Sequence, residues 1–236
     1  MNYITFGKRE NPCVVFLHGW GGSVKSFMGV AKVFAGFGFF AVLIDFDGFG
    51  DSPEPNEPKT IYDYADDVEE FIDKFGLVSP MIIGHSFGGR VGVILSARGL
   101  VRKLVLVDSA GLRPRFSFSR AVKVWKYKRC KKKVVAGKLS SEKLLKFGSS
   151  DYKVLSSVMK ATFVNVVNED LFYLLPKIKV PTLLVWGKKD KDTPLYMARR
   201  FQRTIENSRL LVYNAGHYSY LECSGRFIED VYDFLI

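Results

Sequence analysis

Residues 80–89 read Pro80-Met81-Ile82-Ile83-Gly84-His85-Ser86-Phe87-Gly88-Gly89. An apolar run of β-formers stops at a glycine, a serine follows in the pattern G-x-S-x-G, and the residues from Ser86 to about Ala97 suit a helix. A strand that turns directly into a helix forces the residue at the junction into a strained backbone conformation, and its neighbours two positions away must be small. Gly84 and Gly88 meet that condition. The Ser86 hydroxyl is then expected at the carboxyl edge of a sheet, over a helix N-terminus whose dipole favours negative charge. A glycine-rich turn with an incidental serine would carry the same letters; the strand before and the helix after favour a nucleophile.

Outward from this point strands and helices alternate. Cys13–Leu17 and Phe39–Ile44 are short apolar runs that read as buried parallel strands. Between them Phe27, Val30, Ala31 and Phe34 recur at helical spacing, in a segment from Ser23 to Phe34. Thr60 opens a helix to about Lys74, with Asp63 placed as its capping partner. Lys103–Val107 is a fourth strand, ending at Asp108. From Gly111 to about Ile178 no β-run appears, and helices are expected over 121–135, 141–147, 151–162 and 169–175. The earlier rhythm then resumes: a strand over 180–186, a helix over 194–203, a strand over 209–213 and a last helix over 221–236. Such alternation implies a mostly parallel sheet covered on both faces. The chain therefore divides into a core, residues 1–111 and 179–236, and a helical cap inserted at 112–178.

Composition narrows the class. With 47% hydrophobic and 25% charged residues the 236-residue chain is neither disordered nor collagenous. No basic, apolar, small-residue leader opens it, and its longest apolar stretch, 33–44, falls short of the ~20 residues a bilayer span needs. Cys13, Cys130 and Cys223 are odd in number and widely spaced, so reduced thiols in a cytoplasmic protein are expected, with neither a disulfide framework nor a zinc site. The net charge of +11 is unevenly spread. Residues 112–178 hold 16 Lys or Arg against 4 Asp or Glu, so the whole excess lies in the insertion.

A serine hydroxyl is a weak nucleophile and needs an adjacent base. Of three histidines, His18 and His85 belong to glycine motifs; His217, in Asn214-Ala215-Gly216-His217, follows the last strand and is the candidate base. All strands of a parallel sheet end at one edge, which brings that loop to the side of Ser86. An acid must hold the imidazole. Asp190, in Trp186-Gly187-Lys188-Lys189-Asp190, is the leading choice; Asp108 is a second, and Asp192 a third that could instead cap the following helix near Pro194. Backbone amides should receive developing negative charge. Those of Phe87 and of Trp20, in His18-Gly19-Trp20-Gly21-Gly22, are the candidates, although His18-Gly19 could be a plain strand-ending turn.

Together these segments resemble the α/β-hydrolase fold, in its esterase, haloperoxidase-like and carbon–carbon hydrolase branch. The resemblance rests on His18-Gly19-Trp20-Gly21, on Asp45-Phe46-Asp47-Gly48-Phe49-Gly50-Asp51-Ser52, on Gly84 to Gly89, on Trp186 to Asp190 with Pro194, and on Gly216-His217. It implies an eight-stranded sheet with a helical cap after the sixth strand and a triad in the order Ser86, Asp190, His217. The short N-terminus here implies seven or eight strands. A serine rather than an aspartate at the elbow disfavours dehalogenase and epoxide hydrolase chemistry.

The expected activity is hydrolysis of a small or medium carboxylic ester or related acyl substrate, with anionic and lipid-like substrates in its range, without metal or organic cofactor. Thioester and carbon–carbon hydrolysis are the alternatives on the same triad. A non-catalytic ligand-binding protein on this scaffold is the alternative of another class. The basic insertion reads first as a solvated helix, then as an attractor of anionic substrate, and less readily as a membrane-surface contact. No nucleic-acid motif is present. Phe116, Phe118, Trp125, Phe163, Phe172 and Tyr173 are candidates for lining an acyl pocket.

Overall fold

The computed structural model describes residues 1–115, 118–140 and 150–236. Seven strands form one sheet: β1 (Tyr3–Phe6), β2 (Cys13–Leu17), β3 (Phe40–Ile44), β4 (Met81–His85), β5 (Leu104–Val107), β6 (Thr182–Gly187) and β7 (Ser208–Tyr213). Their spatial order is β1-β3-β2-β4-β5-β6-β7. Only β1 runs antiparallel, against β3, with Tyr3 opposite Ile44; every other neighbouring pair is parallel. The N-terminal part of the sheet is thus the single edge strand β1, which the sequence reading did not place.

Period-two alternation in the buried strands feeds two apolar layers. Val15, Leu17, Val42, Ile44, Ile82, Leu104, Leu106, Leu184 and Trp186 face one way. They pack on α2 (Ile61–Lys74), α3 (Phe87–Ala97) and α7 (Leu195–Thr204). Val14, Phe16, Leu43, Ile83, Val105, Val107 and Val185 face the other way, on α1 (Met28–Gly36) and α9 (Ser224–Leu235). The central strands are buried on both faces, which is why they read as continuous apolar runs rather than alternating ones.

Helix ends follow local chemistry. At the start of α2, Thr60 Oγ1 accepts from the Asp63 N–H, and the Asp63 carboxylate accepts from the Thr60 N–H at 2.6 Å: the expected capping box. The expected 23–34 helix is a single 3-10 turn, Val24–Ser26, followed by α1. The last helix is likewise divided, into α8 (Ser219–Glu222) and α9, with Cys223 non-helical between them.

Between β5 and β6 the described elements are helical: α4 (Phe118–Val135), α5 (Ser150–Val154), α6 (Ser157–Asn168) and a 3-10 segment, Leu171–Lys177. The helix expected over 151–162 breaks because Ser156 caps α6, accepting from the Met159 N–H at 3.1 Å. The one expected over 169–175 is instead the 3-10 segment, which begins after Asp170 caps the Phe172 N–H and contains Pro176. The helix expected over 141–147 lies outside the described residues. Lys126, Lys128, Arg129 and Lys131 to Lys133 on α4 are exposed. Among the described residues no helix is long and apolar enough to cross a membrane.

Candidate active site

Strand register builds the site. Leu17 pairs with Gly84, His85 with Val107, Val107 with Val185, and Gly187 with Tyr213, so the loops after β2, β4, β5, β6 and β7 leave the same edge. Ser86, between β4 and α3, has φ 48° and ψ −105°. That left-handed conformation is costly for a non-glycine residue and is held by close packing on both sides. A Cβ on Gly84 would overlap the Gly88 carbonyl, and one on Gly88 would overlap the Leu17 carbonyl.

The imidazole of His217 lies between the two other side chains that the sequence nominated. Its Nε2 is 3.0 Å from Ser86 Oγ, and its Nδ1 is 2.8 Å from Asp190 Oδ2. With Nδ1–H donating to the carboxylate, Nε2 is left to accept the serine proton. Asp190 is buried, and its Oδ1 accepts from the N–H groups of Asp192 (2.8 Å) and Thr193 (3.0 Å). Thr193 Oγ1 adds a bond to Oδ2 at 2.6 Å. Burial raises the Asp190 carboxyl, but hydrogen bonds from His217 and Thr193 outweigh it and the net shift is downward. Burial also opposes charge on His217, and there the Asp190 hydrogen bond and charge, with Asp108 and Asp192 adding, carry the imidazolium above its ordinary pKa.

Asp192 does not cap α7: it is exposed, and Pro194 occupies the cap position without a side-chain bond. Nor does Asp108 hydrogen-bond His217. It sits buried at the end of β5 with φ 43°, its Oδ1 accepting from the Gly187 N–H at 2.7 Å and its Oδ2 from the Ser219 N–H at 3.0 Å. It therefore fastens the loop that carries Asp190 and the segment just after His217. Burial pushes its carboxyl up to about 7, against the pull of those donors and with the charge of Asp190 adding.

Two further histidines are structural donors. His18 bonds Gly19 O through Nδ1 (2.7 Å) and accepts the Phe46 N–H on Nε2 (3.2 Å), which makes it a neutral tautomer shaping the loop after β2. Burial lowers its pKa. His85 is driven down to about 3, chiefly by burial, so its Nε2–H donates to the His217 carbonyl at 2.8 Å. In the Asp45 to Ser52 segment, the Asp45 carboxylate accepts from the Val24 N–H (2.6 Å) and the Asp51 N–H (2.9 Å) and locks the turn beside that loop.

These elements enclose a cavity of about 630 Å³ whose wall includes Trp20, Ser86, Phe87, Phe163, Val166 and His217. The N–H groups of Trp20 and Phe87 make no hydrogen bond to the described residues, and so remain free as donors beside Ser86. The Trp20 indole packs edge-on against Phe49, Phe87 and Phe163. Of the other aromatic candidates, Trp125, Phe172 and Tyr173 are exposed, and Phe116 and the Phe118 side chain lie outside the described residues. The one described group with metal-ligand spacing is Asp190, Asp192 and His217, within 4.8 Å of one another. Its Asp190 and His217 atoms are already turned on each other.

The sequence missed the bracing roles of Asp108, Thr193 and His85. Each contact joins residues brought together by the sheet edge or by a tight turn, and carries no motif of its own.

The family model described as alpha/beta hydrolase fold matches residues 12–129, and one described as TAP-like protein matches residues 168–235. An AB hydrolase superfamily protein of Bacillus subtilis (strain 168), YisY, is 30% identical over 234 residues, covering 89% of this chain and 86% of that one. This chain belongs to the α/β-hydrolase family. Among solved structures, an esterase from Exiguobacterium antarcticum superposes on this α/β-hydrolase with a TM-score of 0.77 at 24% identity, covering 98% of this chain and 94% of that one, a likeness of fold. A 2-hydroxy-6-oxo-6-(2'-aminophenyl)hexa-2,4-dienoic acid hydrolase of Metapseudomonas resinovorans is 28% identical over 260 residues, covering 99% of this chain and 86% of that one.

Proposed function

We propose that the protein is a serine hydrolase that cleaves a carboxylic ester or related acyl bond through an acyl-enzyme. The observation that carries this reading is the continuous chain Ser86 Oγ–His217 Nε2, 3.0 Å, and His217 Nδ1–Asp190 Oδ2, 2.8 Å, opening on one cavity. In the proposed reaction His217 takes the Ser86 proton as the oxygen attacks the carbonyl carbon. The oxyanion accepts from the Trp20 and Phe87 amides. Collapse of the tetrahedral adduct transfers the proton from His217 to the leaving alcohol or thiol. Water, deprotonated by His217, then releases the acid and restores Ser86. The substrate is a small molecule, and residues 112–178 serve as a cap on the core formed by 1–111 and 179–236. Support for the cap is that Leu112, Phe163 and Val166 belong to the cavity wall.

The likeness to the dienoic acid hydrolase favours one second reading, carbon–carbon hydrolysis by the same three side chains. Turnover of a vinylogous diketone against turnover of 4-nitrophenyl acetate separates the two. The test of both is a fluorophosphonate probe: folded wild type should be labelled on Ser86 and Ser86→Ala should not. Absence of labelling in folded wild type overturns the serine-nucleophile assignment.

A further inference from the structure

Arg90 stands one helical turn after Ser86 on α3 and is 6% exposed, yet it belongs to the cavity wall. A buried arginine normally meets a carboxylate, because its charge is expensive out of water. Among the described residues none lies within ion-pair distance of it. Among the described residues its one hydrogen bond runs from Nη1 to the Glu169 carbonyl at 3.0 Å. The two nearby acids that temper its charge are engaged elsewhere: Glu169 Oε1 accepts from Tyr62 OH, and Asp170 Oδ1 from the Phe172 N–H. A guanidinium has five N–H donors. The fully enclosed side-chain atoms without partners, among the described residues, are Ser96 Oγ and Ser219 Oγ, so the spare donors of Arg90 are not sealed in protein. The space that Arg90 lines is the cavity. Helical side chains lean toward the N-terminus of their helix, here toward Ser86, and one turn separates the two residues by about 6 Å along the axis. The other charged wall residue outside the triad, Asp192, is exposed.

We infer that Arg90 is the recognition group for a carboxylate on the substrate, so that the hydrolase acts on acidic esters in which a free carboxylate lies a few carbons from the scissile carbonyl. The planar guanidinium pairs with a carboxylate through two parallel N–H bonds, and the burial of Arg90 strengthens them. The inference rests on the proposed acyl chemistry for its reaction but not for its binding. In the hydrolysis itself water adds to the acyl carbon and the alcohol leaves with a proton; the second carboxylate is unchanged.

The experiment compares mono-4-nitrophenyl esters of succinate, glutarate and adipate with 4-nitrophenyl butyrate, valerate and hexanoate on wild type, Arg90→Gln and Arg90→Lys. Wild type should favour an acidic ester of one length, and that preference in kcat/KM should fall about 10- to 100-fold in Arg90→Gln, mostly through KM. Arg90→Lys keeps the charge and loses the fork, and should lie between. Equal preference in all three proteins overturns the inference and leaves Arg90 as an anchor for the end of α6. Binding is read separately by titrating folded Ser86→Ala with succinate, glutarate and adipate. Saturable binding that weakens when Arg90→Lys is added supports the subsite whether or not any ester is cleaved, and no binding of any of the three overturns it. Failure of fluorophosphonate labelling with dicarboxylate binding intact would remove the acyl reading alone.

Discussion

His85 donates from Nε2 to the carbonyl oxygen of His217 at 2.8 Å, so the residue just before the elbow serine holds the backbone of the base. With its own pKa near 3, His85 stays neutral across the working range and works as a fixed donor. His85→Ala is expected to lower kcat about tenfold, the worth of one hydrogen bond, without moving the pH profile. His85→Gln keeps a donor and should recover part of the loss. Steady-state kinetics from pH 5 to 9 check both statements; a shifted acid limb in His85→Ala would contradict them.

The pH profile follows from the opposed shifts of the other pair. Proton abstraction needs neutral His217, whose pKa lies above the ordinary 6.5 because Asp190 outweighs burial. kcat/KM should therefore fall as pH drops through a value above 6.5. Asp190→Asn removes that support, so the limb should move downward and the rate fall on the order of 10,000-fold. Stability runs differently. The raised His217 contributes stability that is full below 6.5 and lost as pH rises through its folded pKa. The lowered Asp190 contributes stability present above its ordinary 3.8 and lost as pH falls through its folded value. The pair should stabilise most between these ordinary values, below the pH of greatest activity. Denaturant midpoints of wild type and Asp190→Asn across pH 3 to 9 test the window.

What could be read ahead of the structure was whatever leaves a local mark. Gly84 and Gly88 are written into the sequence because any side chain there meets backbone, and Thr60 with Asp63 because the box closes within one turn. Doubly buried strands such as Phe40–Ile44 show as apolar runs. Ser86, Asp190 and His217 could each be nominated from the loop they occupy, once a parallel sheet puts those loops at one edge. β1 was not legible: four residues of an edge strand, half-exposed, carry too little pattern. The breaks at Ser156 and Cys223 lie inside apolar periodicity that continues across them. Asp108 and Arg90 act through partners 79 to 111 residues away, which no spacing rule reaches.

Glycine positions in the same chain should respond with opposite sign. Gly88→Ala pushes a methyl into the Leu17 carbonyl, a backbone atom of a central strand that cannot swing aside. The loss should be about 3 kcal/mol or more, with Ser86 displaced and labelling lost. Gly29, in the first turn of α1, has nothing within 4 Å of the same added atom. Gly29→Ala should leave labelling intact and raise stability by up to about 1 kcal/mol through helix propensity. Urea unfolding of both variants decides whether packing or backbone entropy governs each site.

Asp108 carries the last prediction because its carboxylate braces what the triad needs without hydrogen-bonding any of the three side chains. One carboxylate oxygen holds Gly187, where the acid loop leaves β6, and the other holds Ser219, just beyond His217. Asparagine fits the space but offers one acceptor; its amide would face an N–H, leaving a buried donor unpaired. Asp108→Asn should therefore cost about 1–3 kcal/mol of stability. It should also remove one of the carboxylates that raise His217. The acid limb of kcat/KM should then shift downward along with a fall in kcat. A brace without electrostatic reach would lower kcat equally at every pH, so the movement of the limb, measured beside the urea midpoint, separates the two contributions.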